Sequence, residues 1–94
     1  METNNHYFYV LQCRDGSFYG GYTNHLEKRI TRHNEGNGAK YTRARKPVLL
    51  LHSEQYSSKQ EAMSKEYSFK QLSRKEKEQY LAERGVRYVA TEKL

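Results

Sequence analysis

The sequence predicts an α+β fold with elements in the order strand, strand, helix, strand, helix, helix. Three observations carry that prediction. Two aromatic-rich stretches, residues 6–13 and 17–22, flank an Asp-Gly pair as the arms of a hairpin do. Two Ser-x-x-Glu boxes, Ser58 with Glu61 and Ser73 with Glu76, open helices late in the chain. With 94 residues, the chain buries about two-thirds of its unfolded surface and supports one core, so residues 1–94 are expected to form a single domain.

The first strand runs from His6 to Cys13, with Tyr7, Tyr9, Leu11 and Cys13 sharing a face. Asp15-Gly16 ends it, and Ser17 to Tyr22 form the second strand. Gly20-Gly21 inside that strand predicts a bulge or a point where another group approaches the backbone closely. Asn24, with Glu27 three residues on, caps a helix that runs to Asn34 and stops at Gly36, with Leu26, Ile30 and His33 on its inner face. Residues 35–46 carry Gly36, Asn37, Gly38 and several charges without apolar periodicity, and read as a loop closed by Pro47. Val48-Leu49-Leu50-Leu51 is a short apolar run that fits a third strand covered on both sides. Helices follow over residues 59–72 and from Ser73 to Gly85. The core therefore spans residues 5–85, and residues 86–94 are expected to form a flexible tail.

Composition narrows the function classes. The 9 tyrosines and 3 phenylalanines, against no tryptophan, must supply much of the core area in a chain only 35% hydrophobic. Cys13 is the single cysteine, which excludes an intramolecular disulfide and a cysteine-based zinc site. No stretch approaches the ~20 apolar residues of a membrane span, and the opening residues lack a secretory pattern, so a cytoplasmic protein without membrane attachment is expected. The net charge of +6 is concentrated. Residues 28–46 hold Lys28, Arg29, Arg32, Lys40, Arg43, Arg45 and Lys46 against Glu35 alone. That window is the footprint of a phosphate-rich partner, or of a basic surface kept for solubility.

Two placements point to chemistry. On a helical wheel starting at Ala62, Glu66 falls near ~40°, between Phe69 and Met63, at the centre of the apolar arc. A carboxylate there must have a raised pKa, pair with Lys70 one turn on, or ligate a metal. Arg29, one turn before His33 on the first helix, sits at the edge of its buried stripe, where an arginine fork reaches a neighbouring phosphate and the neighbouring histidine passes a proton or holds a water. A solvated helix edge accounts for the same pair.

Taken together, Tyr7-Phe8-Tyr9, Tyr19-Gly20-Gly21, Arg29, His33-Asn34 and Glu66 resemble the GIY-YIG nuclease family in type, order and spacing. The phrase Gly38-Ala39-Lys40-Tyr41-Thr42-Arg43-Ala44-Arg45-Lys46-Pro47 is similar to one shared by its small stand-alone, UPF0213-like members. Tyr7, Phe8 and Gly20 depart from the name-giving triplets, at positions not expected to do chemistry. The resemblance implies a three-stranded antiparallel sheet flanked by three helices. It also implies roles: Tyr9 near the attacking water as a general base, Tyr19 orienting water or phosphate, Arg29 on the scissile phosphate, His33 assisting proton transfer and Glu66 holding a divalent metal.

Phosphodiester hydrolysis needs charge stabilisation on a five-coordinate phosphate, an in-line water and help for the leaving oxygen. Asp15 is the only aspartate, so a single Mg²⁺ (or Mn²⁺) that keeps its waters and takes a substrate oxygen is expected over a carboxylate-bridged metal pair. An unperturbed phenol titrates near ~10, so Tyr9 needs the metal or Arg29 to ionise. Arg32, Lys40, Tyr41, Arg43, Arg45 and Lys46 are expected to grip nucleic acid, DNA ahead of RNA, in a monomeric protein. A two-residue Asp15-Gly16 turn would put Tyr9 and Tyr19 on opposite faces, so one site requires an odd-length loop, or a bulge at Gly20-Gly21. The alternatives are a non-catalytic nucleic-acid-binding module of the same fold and a protein-interaction domain with an acidic partner.

Overall fold

A computed structural model describes residues 5–87. The elements are β1 (His6–Gln12), β2 (Phe18–Thr23), α1 (Leu26–Glu35), α2 (Lys40–Arg43), β3 (Leu49–Tyr56), α3 (Lys59–Lys70) and α4 (Arg74–Glu83). The strands form one antiparallel sheet in the order β2-β1-β3. The predicted order therefore holds, with α2 added as a single turn inside the segment read as a loop.

β1 is the central strand, and Phe8, Tyr9, Val10 and Leu11 are all fully buried. Alternation sends Phe8 and Val10 to one face, where Phe18, Phe69 and Leu81 close a core under α3 and α4. Tyr9 and Leu11 point to the other face, where Cys13 and Val48 pack with Leu26 and Ile30 of α1. β3 departs from expectation. It is an edge strand, and Leu49 and Leu50 at its start are exposed. The apolar run specified a strand, but its cover depended on strand order, which no local pattern encodes. Between Val10 and Leu11 the β1–β3 register slips by one residue, leaving Leu51 as the extra residue of a bulge.

The hairpin brings Tyr9 and Tyr19 to one face, by the loop and not by a bulge at Gly20-Gly21. Tyr9 pairs with Gly21 and Leu11 with Tyr19 in an unbroken register. The connection is three residues, Arg14 to Gly16, closed by Cys13 N–H donating to the Ser17 carbonyl at 2.8 Å. Gly16 takes φ +89°, the left-handed position that such a loop needs and that glycine adopts without strain. The two-residue turn is thus replaced by an odd one, because Asp15 accepts from Ser17 N–H (3.1 Å) and Oγ–H (2.6 Å) and folds the turn one residue earlier.

Helix caps follow the sequence less evenly. α3 begins at Ser58, whose hydroxyl accepts from Glu61 N–H, and α4 begins with a full Ser73–Glu76 capping box. α3 ends at Lys70, two residues short of expectation. α1 is capped at His25, with no side-chain cap, rather than at Asn24; Thr23 Oγ1 accepts the His25 N–H at 3.0 Å and sets the entry. Val86 N–H donates to the Leu81 carbonyl at 3.0 Å and its side chain packs on the core, so the first residue assigned to the tail belongs to the fold. Residues 88–94 lie outside the described residues.

One polar network ties α4 to β3. Glu54 accepts from Tyr56 Oη–H (2.5 Å), Tyr80 Oη–H (2.6 Å) and His52 Nε2 (2.7 Å), and Arg84 lies 3.3 Å away. Burial pushes its pKa up, but these hydrogen bonds outweigh burial and bring it to about 2. Among the described residues, no helix is long and apolar enough to cross a membrane.

Candidate active site

The buried stripe of α1 lays His33 against the sheet face that carries Tyr9. His33 is fully buried, with Nε2 2.9 Å from Tyr9 Oη and Nδ1 2.7 Å from Thr42 Oγ1. Thr42 Oγ1 has one proton and gives it to the Ala39 carbonyl at 3.1 Å. Nδ1 therefore carries the imidazole proton and donates it to Thr42, and the Nε2 lone pair accepts the Tyr9 hydroxyl. This bond explains α2: the turn holds a buried acceptor against His33. Two glycines make the approach possible. A Cβ at Gly21 would collide with the Tyr9 ring, and one at Gly38 with the His33 imidazole. The close approach expected at Gly20-Gly21 is thus present, with Phe69 2.9 Å from where a Gly20 Cβ would lie.

Arg29, one turn before His33, donates Nε–H to Tyr9 Oη at 3.3 Å and also interacts with the Tyr19 hydroxyl. It is half-buried and lines a groove of about 220 Å³ with Thr23, His25, Lys28 and Arg32. Among the described residues, no carboxylate lines that groove. The Tyr19 ring lies edge-on to His33 (centroids 5.4 Å apart) and stacks on Tyr41 of α2 (5.9 Å). Burial pushes the Tyr9 phenol up to about 12 even though the Arg29 bond and charge pull it down. His33 falls to about 4, through burial first and the Arg29 charge second. With the phenol near 12 and the imidazole near 4, the proton stays on Tyr9 in the resting protein.

The structure thus brings Tyr9, Tyr19, Arg29 and His33 into one cluster. Glu66 stands at its rim. Its charge reaches Tyr9 and opposes ionisation there. Its side chain is 19% exposed, and Oε2 pairs with Lys70 Nζ at 3.0 Å. The apolar arc around Glu66 is narrower than the helical wheel predicts, because Met63 is exposed and the buried side of α3 is limited to Ala62 and Phe69. Of the three options for that carboxylate, the pair with Lys70 is present. Among the described residues no group of three His, Cys, Asp or Glu is placed to hold a metal. A single carboxylate suits Mg²⁺, which retains several waters and takes its remaining ligands from substrate phosphate. Glu66 would hold such an ion only in place of Lys70.

The expected nucleic-acid contacts divide. Lys40, Tyr41, Arg43, Lys46 and Arg32 are exposed. Arg45 is committed internally: its Nε pairs with Asp15 at 3.0 Å, Nη1 donates to the Tyr41 carbonyl at 2.9 Å, and its guanidinium lies 4.0 Å over the Tyr41 ring. Thr42 escaped the sequence reading, although it lies inside the Gly38 to Pro47 phrase. Asn34 also gains a function beyond its place in the motif, because its side chain accepts from Val48 N–H (2.6 Å) and donates to the Val48 carbonyl (3.3 Å), fixing the end of α1 to the start of β3.

Comparison with known proteins places this arrangement. The family model described as the GIY-YIG catalytic domain matches residues 5–80. A UPF0213 protein of Bacillus cereus is 62% identical over 94 residues, covering 100% of this chain and 97% of the relative. The UPF0213 protein YazA of Bacillus subtilis is 58% identical over 84 residues, covering 89% and 85%. The solution NMR structure of a UPF0213 protein from Bacillus halodurans aligns with a TM-score of 0.58 at 50% identity over 85% of each chain. That of a protein from E. faecalis aligns with a TM-score of 0.59 at 53% identity over 90% of this chain and 91% of the other. The chain, with its paired motif tyrosines, helix arginine and rim glutamate on this fold, belongs to the UPF0213 branch of the GIY-YIG nuclease family.

Proposed function

We propose that this protein is a divalent-metal-dependent endonuclease that hydrolyses phosphodiester bonds in nucleic acid, DNA ahead of RNA on family grounds, as a cytoplasmic monomer engaged in DNA repair or processing. The observation that carries the reading is the placement of Arg29: a permanently charged fork, fixed by Tyr9 beside Tyr19, opens into a basic groove that no carboxylate lines. A phosphate in that groove meets Arg29 together with Lys28 and Arg32, and developing charge on its equatorial oxygens is met by a donor already held in place by Tyr9.

The tyrosines then divide the work. Tyr9 is fully enclosed, so it orients Arg29 and donates its hydroxyl hydrogen bond to His33 rather than meeting solvent. Tyr19 is half-buried and is the phenol that faces substrate and aligns the attacking water. Glu66 would hold one Mg²⁺, or Mn²⁺, which supplies Lewis-acid stabilisation of the phosphate and a more acidic bound water. The exposed Lys40, Tyr41, Arg43, Lys46 and Arg32 grip the backbone without reading sequence.

The Glu66–Lys70 pair favours a second reading, a nucleic-acid-binding module that does not cut. Nicked, flapped, single-stranded and duplex oligonucleotides with Mg²⁺ or Mn²⁺ separate the two. The proposal predicts cleavage that falls by about 10²-fold or more in Glu66→Gln and Arg29→Ala while binding persists. Salt-sensitive binding with no Glu66-dependent cutting of any substrate leaves the binding module. No affinity even at low salt leaves the protein-interaction domain.

A further inference from the structure

Residues 47–94 net only +2, yet the fold gathers three of their cations at one place. Lys70 at the end of α3, and Arg74 and Lys77 at the start of α4, converge beside β2. Arg74 lies 3.8 Å over the Phe18 ring, pairs with Glu78 at 2.9 Å and donates to the Gly16 carbonyl at 2.9 Å, so its donors are engaged. Lys70 shares Glu66 and sits 5.5 Å from the Tyr19 ring centroid. Lys77 has its Nζ 5.4 Å from the Phe69 ring and, among the described residues, no carboxylate partner. Burial, and then the charges of Arg74 and Lys70, lower its pKa.

Lys70 and Lys77 line a cleft of about 270 Å³ with Phe18, Tyr19, Gly20 and Tyr41. Among the described residues the cleft's lining includes no acidic side chain, its walls are aromatic, and it shares Tyr19 with the catalytic cluster. A half-buried ammonium that repels two neighbouring cations is relieved by an anion, and the aromatic walls suit the nucleoside attached to it.

We propose that Lys77, with Lys70, binds a backbone phosphate of the nucleic-acid substrate in the Tyr19–Tyr41 cleft, adjacent to the phosphate being cleaved. The inference rests on the endonuclease reading and adds a contact outside residues 28–46. The strand then runs from the Arg29 groove past Tyr19 to the α3–α4 junction, held by cations from both halves of the chain.

The test compares wild type, Lys77→Met, Lys77→Arg and Arg43→Ala, binding a labelled oligonucleotide across a salt series. Methionine keeps the apolar stem over Phe69, and thermal melts report that each variant is folded. The expected result for Lys77→Met is about threefold to tenfold weaker binding and a salt slope reduced by about 0.7–0.9, with the kinetic loss in KM rather than kcat. Lys77→Arg should recover both. Wild-type affinity and slope in Lys77→Met, alongside weakened binding in Arg43→Ala, overturn the subsite and leave the endonuclease reading standing. Absence of salt-sensitive binding in the wild type overturns both. Amide shifts at Lys70 and Lys77 on titration with the same oligonucleotide give a second measure, and their absence at saturation also overturns the subsite.

Discussion

Thr42→Val isolates the hydrogen bond that holds His33 in the Tyr9–Tyr19–Arg29 cluster. The substitution keeps shape and removes the hydroxyl that accepts His33 Nδ1–H at 2.7 Å and donates to Ala39 at 3.1 Å. Both Thr42 and His33 are fully buried, so water cannot replace the lost partner. A buried donor left unsatisfied costs about 1–3 kcal/mol, which for a domain of this size lowers Tm by about 4–8 °C per kcal/mol. The imidazole has an escape: it moves its proton to Nε2, which then donates to Tyr9 instead of accepting from it. Tyr9 loses the acceptor for its own proton, and Arg29 loses part of its anchor. Thermal melts should therefore fall by about 10 °C, His33 ¹⁵N shifts should report the exchanged tautomer, and cleavage should drop on the order of 10²-fold. Thr42→Ser should restore all three. A Thr42→Val protein with wild-type Tm and wild-type His33 shifts would refute the tautomer assignment and the Tyr9–His33 hydrogen bond that depends on it.

Other outcomes follow from the same geometry. Gly21→Ala forces a methyl into the Tyr9 ring, so about 1–3 kcal/mol of stability should be lost with displacement of Tyr9; a urea midpoint equal to wild type contradicts the packing. His33 is held neutral, with a folded pKa of about 4 against an ordinary 6.5, so its stabilisation is complete above pH 6.5 and is lost as pH falls toward 4. Urea unfolding should show about 2 kcal/mol less stability at pH 5 than at pH 7, and a flat profile over that interval would speak against a buried neutral imidazole. Glu54 follows the same sign at lower pH, its contribution being complete above 4.5 and lost toward about 2. Arg45→Ala breaks an ion pair whose members are both more than one-third exposed, so stability should change by less than about 1 kcal/mol. Its salt slope in oligonucleotide binding should stay closer to wild type than that of Arg43→Ala, and equal slopes would return Arg45 to the phosphate contacts.

What the sequence revealed follows from where each specification resides. β1 and β2 were legible because aromatic alternation and Asp15-Gly16 are local signals, and the same-face condition on Tyr9 and Tyr19 correctly demanded an odd connection. The site of the correction was open between loop and bulge until Asp15 was seen to bind Ser17. α2 was illegible because one turn has no periodicity and is held by Thr42 against a histidine nine residues away. The exposure of Leu49 and Leu50 depends on β1 lying between the other strands, a tertiary fact. Arg29, His33, Tyr9 and Tyr19 were recognisable as a set only through their ordered spacing. Glu66 stood out on the helical wheel, but the wheel overstated its burial because Met63 faces solvent. Lys77 went unnoticed because its segment carries nearly balanced charge, and only the fold separates it from the glutamates around it.

The central claim is that Glu66 offers a cation site beside the Tyr9–Tyr19–Arg29–His33 cluster. A Mn²⁺ titration followed by NMR, with an oligonucleotide present, tests it most directly. The account predicts paramagnetic broadening centred on Glu66 and extending to Tyr19 and Lys70, abolished by Glu66→Gln. Broadening centred elsewhere, or unchanged in the Glu66→Gln protein, would contradict it.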